Sequence, residues 1–302
     1  MRKLIRPAAL AVIAGAAPAW AHAGHNHEAP PGWTWDPWMT LPLLLAALLF
    51  ALGSRRLYAR SNAGRARLRT RAWLFAAGWL TLAGALVSPL HAAGERSFAA
   101  HMIEHELLML LAAPLLVMAE PLSATLWAFP SAARRTLGAI GASRPVSVLF
   151  AWTTGAVFAT LFQAGVLWIW HMPSLFDLAL ASEAWHAAQH LCFLLSALLF
   201  WTAMLGRRGA GAGSPGDRAL AAFCLLVTSF VTGALGALMA FAQSPWYAGY
   251  SRLALAPFGL SPAEDQQIAG LIMWVPGGLV HLVVALVLFR TLLAPQRTAD
   301  AL

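Results

Sequence analysis

The chain has 302 residues, of which 60% are hydrophobic and only 11% are charged. A soluble domain carries about 25% charged residues, so this composition excludes an ordinary soluble fold and indicates a lipid environment. The net charge of +8 comes almost entirely from arginines in short segments between long apolar runs, a placement that fits membrane topology rather than a nucleic-acid surface. We therefore expect the lipid bilayer, and no nucleic acid, as a partner.

The first 23 residues are typical of a secretory signal peptide. A basic start precedes a short apolar stretch and the small-residue sequence Ala21-His22-Ala23, after which cleavage is expected. Residues 24–37 follow as a segment rich in histidine and tryptophan, which we expect in the periplasm. Residues 38–295 form the predicted membrane domain.

Seven further apolar segments are long enough to cross a bilayer as helices. The sequence therefore predicts an all-α fold, a polytopic membrane helix bundle with seven transmembrane helices. The predicted spans are 38–54, 72–90, 98–119, 146–170, 185–205, 218–241 and 266–293. Within the last span, Pro276-Gly277-Gly278 predicts a kink or local unwinding.

The arginines predict the orientation of the bundle. If the mature N-terminus lies outside, fifteen arginines fall in inner segments and only Arg96 and Arg252 fall in outer ones. The positive-inside rule then places the N-terminus in the periplasm and the C-terminus in the cytoplasm. The longest outer connection, 242–265, is expected to pack over the helix ends.

In this orientation, histidines gather at the outer ends of the predicted spans. His101 and His105 lie four residues apart and so share one helical face at the start of the third span. His186 and His190 repeat this arrangement in the fifth span, and His171 ends the fourth. We predict these five residues as the ligands of a metal site.

Imidazoles without nearby thiolates suit copper, zinc or iron. Met102 and Met172 would add soft sulfur ligands for Cu(I), and Asp265 and His281 are further candidates, although His281 lies about 24 Å along its helix from Asp265. We expect His91, in a connecting loop, to be solvated rather than a ligand.

The segment His101-Met102-Ile103-Glu104-His105 also matches the inverted zinc protease signature. That chemistry needs a further acidic ligand and a soluble substrate cleft, whereas the match lies in an apolar helix. No nucleophile–base pair is recognisable either, so we predict a protein that is not an enzyme. Glu104 and Glu106 are expected to lie in the membrane interface; the alternative is that they accept hydrogen bonds that orient the imidazoles.

Three blocks of sequence resemble the caa3-type cytochrome c oxidase assembly factor family, also called the CtaG family. The blocks are His101–His105 with Ala113-Pro114-Leu115-Leu116 and Glu120-Pro121; Trp170-His171-Met172-Pro173 with Phe176-Asp177, His186, His190 and Phe200-Trp201; and Asp265-Gln266-Gln267 with Ala269-Gly270 and Met273-Trp274-Val275-Pro276. The resemblance covers about residues 70–295. It implies a bacterial inner-membrane protein needed to build a haem–copper terminal oxidase, with the oxidase subunits as partners and copper as the metal.

Three functions remain open from the sequence. The chain binds copper through the five histidines and passes it to an oxidase subunit, or it is an electron carrier whose histidines ligate haem iron axially. In the third possible function, the protein is a metal-free scaffold, and its histidines form hydrogen bonds with one another or with Asp265 and Glu104 across helices.

Overall fold

The computed structural model describes residues 32–61, 63–206, 209–253 and 255–293. Within these ranges the regular structure is helical, apart from an isolated bridge between Ala256 and Leu260. The predicted signal peptide and residues 24–31 lie outside the described residues. The all-α fold is confirmed.

The first half of the described chain forms two long helices, α1 (Pro37–Arg60) and α2 (Arg65–Val87), followed by a series of shorter helices. The shorter helices are α3 (Pro89–Gly94), α4 (Phe98–Glu106), α5 (Ala113–Ala119), α6 (Pro121–Thr125), α7 (Ser131–Ala142) and α8 (Arg144–Thr153). A π-helical segment, Leu107–Ala112, joins α4 to α5, and a 3₁₀ turn, Leu126–Ala128, follows α6.

The helices of the second half include the two longest among the described residues, α12 (Pro215–Ala240) and α14 (Pro262–Leu293). The others are, in chain order, α9 (Ala156–Trp170), α10 (Pro173–Ala181), α11 (Glu183–Leu205) and α13 (Ala248–Ser251). Short 3₁₀ turns occupy Ala210–Ala212 and Pro257–Gly259.

The chain is a polytopic membrane protein. Among the described residues, six helical spans are long and apolar enough to cross a bilayer, and a seventh results if α8 and α9 count as one broken span. The sequence predicts a single helix over 146–170, but α8 and α9 are bent by 65°. The break coincides with Gly155 in an extended conformation and with the hydroxyl of Thr154 bonded to the carbonyl of Phe150, which competes with the helical pattern.

The backbone does not unwind at Pro276, because α14 is a continuous α-helix from Pro262 to Leu293; of the two outcomes expected there, the kink stays a prediction. A proline removes one backbone hydrogen bond, and close packing against α12 supports the rest of the helix. The two backbones touch at Gly236 and Gly270, where a Cβ on Gly270 would lie only 2.5 Å from the carbonyl oxygen of Gly236. Such small residues let membrane helices approach closely.

The π-helical segment follows from Pro114. This proline has no N–H for the carbonyl of residue 110, and its ring would collide with that carbonyl in a regular α-helix. The chain widens instead, so that the N–H of Ala113 bonds to the carbonyl of Leu108, five residues earlier. The indole N–H of Trp201 satisfies the carbonyl of Met109 at 2.8 Å. The widened turn begins two residues after His105, directly beside the histidines.

Candidate metal centre

Imidazoles from four parts of the chain form one cluster, in which His186 is half-buried and the other five side chains are buried. The six are His91 in α3, His101 and His105 in α4, His171 directly after α9, and His186 and His190 in α11. We call these six side chains the histidine cluster. The sequence predicts five of its members and misses the sixth, His91.

The two pairs of histidines face each other, as their spacing predicts. Ring centroids are 4.3 Å apart within the pair His101–His105 and 4.3 Å apart within the pair His186–His190. Across the two helices, His101 lies 5.1 Å from His186, and His105 lies 5.2 Å from His190. The facing helices thus bring four imidazoles into direct contact.

Three members of the cluster lie close enough together to hold one metal ion between them. Donor nitrogens of His101, His186 and His190 all lie within 4.8 Å of one another. The Nε2 atoms of these three side chains are buried and have no hydrogen-bond partner among the described residues. An unsatisfied buried polar atom costs about 1–3 kcal/mol, so this arrangement calls for a ligand such as a cation.

A second group of donors shares one residue with the first. Atoms of His91, Glu104 and His190 also lie within 4.8 Å of one another. Because His190 belongs to both groups, the two positions adjoin. The second group adds a carboxylate to a set that is otherwise composed of imidazoles.

The prediction that His91 is solvated is wrong. Its side chain is buried, and its Nδ1 lies 2.8 Å from Oε1 of Glu104. Residues 89–94 form a short helix rather than an open loop, and this helix packs His91 against His186, with ring centroids 5.2 Å apart. The Ser88-Pro89 pair, a helix-start signal, is the feature that could have revealed this element.

For Glu104, the observed contacts fit the alternative expectation, a hydrogen-bond acceptor beside the imidazoles. Its side chain is completely buried, and Oε1 lies 3.5 Å from Nε2 of His190 as well as close to His91. Burial alone would lower the pKa of His91, but the hydrogen bond and charge of Glu104 outweigh burial and raise it. Glu104 therefore belongs to the cluster.

Glu106 is on a different side of its helix. It is partly buried, and its Oε2 lies 3.4 Å from the position that a Cβ on Gly277 would occupy. This carboxyl therefore packs against α14, and its Oε2 has no hydrogen-bond partner among the described residues.

Tyr250 fixes the hydrogen-bonding state of His101. Its hydroxyl donates to the carbonyl oxygen of Gly94 and lies 3.1 Å from Nδ1 of His101. A hydroxyl has one proton, so the hydroxyl oxygen must accept from Nδ1–H. The Nε2 of His101 then carries the lone pair of the ring, which is available to accept a hydrogen bond or to bind a cation.

The connection between α12 and α14 packs over the helix ends that carry the cluster, as predicted. Asp177 accepts hydrogen bonds from the N–H groups of Ala248 and Gly249 at 3.1 and 2.9 Å, which holds this connection against α10. The hydroxyl of Tyr247 donates to the carbonyl of His171. Tyr247 and Tyr250 are both buried, so the connection covers the cluster with aromatic side chains.

His171 and His105 occupy the apolar side of the cluster. The ring of His171 lies 6.5 Å from that of His105, and its Nδ1 lies 2.7 Å from the carbonyl of Leu167. Burial lowers the pKa of His171 to about 4, although the bond to Leu167 opposes this shift. Both nitrogens of His105 are buried without a hydrogen-bond partner among the described residues.

Asp265 and His281, two of the four further ligand candidates, form contacts of other kinds. The carboxylate of Asp265 accepts from the hydroxyl of Ser97 and the N–H of Phe98, at 2.8 and 2.6 Å, and so caps the helix that carries His101. His281 stacks on Trp201, far along α14 from Asp265.

The two methionines differ in exposure. Met172 is 54% exposed, whereas Met102 is buried in the core. We therefore leave both of them, like Asp265 and His281, out of the proposed ligand set.

The fold and the cluster together define a polytopic helical membrane protein with a buried, imidazole-rich centre at one end of its bundle. The family model "Cytochrome c oxidase caa3 assembly factor (Caa3_CtaG)" matches residues 48–294. The chain therefore belongs to the caa3 cytochrome c oxidase assembly factor family. No curated protein and no solved structure matches it significantly.

Proposed function

We propose that this protein binds copper at the histidine cluster and supports copper insertion into a haem–copper oxidase in the bacterial inner membrane. The observation that carries the proposal is the grouping of His101, His186 and His190, whose donor nitrogens lie within 4.8 Å of one another. We further propose that this end of the bundle faces the periplasm, because the arginine-rich end is favoured on the cytoplasmic side.

The donor set fits a copper ion as cargo. Nitrogens bound at about 2.0–2.1 Å to one metal ion are roughly 3.3–3.6 Å apart, so small side-chain rotations would close the group around an ion. The set contains imidazoles and one carboxylate, and both cysteines of the chain lie outside the two donor groups. Imidazoles without thiolates suit a protein that must also release its copper.

Glu104 supports the binding of a cation rather than a neutral ligand. Its buried carboxylate lies beside both His91 and His190 and supplies an acidic group among the imidazoles. A buried charge is costly unless it is compensated. A copper ion shared by the imidazoles would provide part of that compensation.

The haem alternative fits the cluster less well. Two axial imidazoles must leave room for a porphyrin between them, whereas the rings of His101 and His186 are nearly parallel, at 22°, with centroids only 5.1 Å apart. We expect the absorption spectrum of the purified protein to contain no Soret band. A Soret band would support the haem alternative.

The scaffold alternative is separated from copper delivery by an assembly experiment. A strain that lacks this chain is supplied with the wild type, with the combined variant His101→Ala, His186→Ala and His190→Ala, or with His281→Ala as a control. His281 is a buried histidine that lies outside both donor groups. The measurement is the copper-to-haem ratio of the purified oxidase, at matched membrane levels of each variant.

We expect the triple variant to leave the oxidase deficient in copper, and His281→Ala to resemble the wild type. A fully metallated oxidase in the presence of the triple variant would contradict copper delivery and favour the metal-free scaffold.

A further inference from the structure

A separate cavity of about 360 Å³ lies at the opposite end of α2 from the histidine cluster. It is enclosed by the end of α1, the start of α2 and the turn between α5 and α6. The apolar part of its wall consists of Phe50, Ala72 and Ala119. The charged part consists of the guanidinium groups of Arg55, Arg69 and Arg71. Since α2 has 23 residues, roughly 30 Å separate this cleft from the cluster.

Several arginines near the cavity are already paired within the protein. Arg71 forms an ion pair with Glu120 at 2.6 Å. Arg56 donates to the carbonyls of Trp127 and Ala128, and Arg65 stacks over Tyr58. These contacts hold the walls of the cavity in place.

Arg55 and Arg69 differ from these arginines. Both line the cavity, both are exposed, and neither makes a hydrogen bond, ion pair or ring contact with the described residues. The wall carries three positive charges, and the negative charge of Glu120 compensates one of them through its ion pair with Arg71. Two positive charges therefore remain uncompensated at the cavity. This charge fits an anion, and a guanidinium is well suited to a phosphate group.

The position of the cavity indicates which kind of phosphate it takes. The apolar part of α1 ends just before Arg55, and α2 begins with arginines at Arg65, so the cavity lies where the hydrocarbon layer meets the headgroups. A soluble anion needs no apolar wall. A phospholipid presents a phosphate at this level and an acyl chain beside it, which matches guanidinium groups above Phe50 and Ala72.

We propose that this cleft is a binding site for an anionic phospholipid, whose phosphate contacts Arg55 and Arg69 and whose acyl chain packs on Phe50 and Ala72. The site is independent of copper binding, because none of its residues belongs to the histidine cluster.

The test is a titration of the full-length, delipidated protein with phosphatidylglycerol, followed by native mass spectrometry. The double variant Arg55→Gln with Arg69→Gln is compared with Arg135→Gln with Arg290→Gln, which removes the same charge from exposed positions outside the cavity. Phosphatidylcholine serves as the zwitterionic lipid of zero net charge, and glycerol phosphate serves as the soluble headgroup. Thermal stabilisation of the wild type by phosphatidylglycerol is measured in parallel.

We expect the cavity variant to weaken phosphatidylglycerol binding roughly thirtyfold and the control variant to bind like the wild type. Phosphatidylcholine should bind weakly, and glycerol phosphate should not compete. Equal losses in the two double variants, unchanged binding in the cavity variant, or effective competition by glycerol phosphate would each overturn the proposal. If the cavity variant does not fold, the absence of any stabilisation of the wild type by phosphatidylglycerol would overturn it as well.

Discussion

The Nδ1 atom of His91 lies 2.8 Å from Oε1 of Glu104, and both side chains are buried. This contact joins α3 to α4 inside the membrane protein and places a carboxylate among imidazoles. Since His190 lies near the same oxygen, one carboxylate organises two histidines from different helices. Several consequences of this arrangement are open to experiment.

Replacing Glu104 with glutamine should destabilise the protein by about 1–3 kcal/mol, because His91 loses a charged partner. The pKa of His91 is raised, so the stabilisation is present below the ordinary histidine pKa and is lost as the pH rises through the raised value. The difference in thermal unfolding between wild type and Glu104→Gln should therefore shrink at alkaline pH. Glu95→Gln removes an exposed acid whose charge raises the pKa of His91 less than that of Glu104, so this comparison variant should lose less stability; an equal loss in both variants would contradict the role of Glu104.

Tyr250→Phe should weaken copper binding roughly tenfold while the protein stays folded. The variant removes the hydroxyl that accepts from Nδ1 of His101 and thereby directs the free lone pair of Nε2. The affinity is measured by competition with a Cu(I) chelator. Tyr58→Phe, a partly exposed tyrosine at the arginine-rich end, should bind like the wild type. Wild-type affinity in Tyr250→Phe would show that this contact does not orient the ligand.

His171→Gln should reduce the acid sensitivity of the metal-free protein. Burial lowers the pKa of His171 to about 4, so the unfolded state takes up a proton that the folded state does not accept. Stability is therefore lost as the pH falls below the ordinary histidine value, by about 2 kcal/mol between roughly pH 7 and pH 5. The free energy of unfolding, measured at both pH values, should therefore fall by about 2 kcal/mol less in the variant than in the wild type. An unchanged pH dependence would exclude His171 as its source.

Gly270→Ala should destabilise the bundle by about 1–3 kcal/mol, because the new methyl group would lie 2.5 Å from backbone atoms of Gly236 and Ala240. Gly84→Ala is a matched control, since a methyl group there meets nothing within 4 Å. Alanine is the better helix former, so the control should be neutral or slightly stabilising. Thermal unfolding in detergent measures both, and equal stability of the two variants would contradict close packing of α12 on α14.

The bundle and the facing histidine pairs follow from patterns that a sequence displays directly. Apolar length predicts the spans, and the four-residue spacing of His101 and His105 puts both on one face. The third predicted span, 98–119, has the same bounds in the structure. The fourth does not, because extended backbone at Gly155 breaks the helix and nothing in hydropathy marks such a bend.

The rest of the cluster depends on contacts between residues that are distant in the chain. His91 reaches the cluster through a helix of only six residues, too short for periodicity to reveal. Tyr250 contacts His101 across 149 residues, and Asp265 caps the helix of His101 from the far end of the chain. These relationships depend on how the helices are arranged, which the hydrophobic pattern of one sequence does not specify.

Copper titration of the purified protein tests the central claim most directly. Wild type, His190→Ala and His281→Ala are titrated in competition with a chromophoric Cu(I) chelator, and their folding is compared by thermal unfolding. His190 belongs to both donor groups, whereas His281 belongs to neither. The account predicts about one tightly bound copper in the wild type and in His281→Ala, and its loss in His190→Ala. A folded His190→Ala protein that binds copper with wild-type stoichiometry and affinity would contradict it.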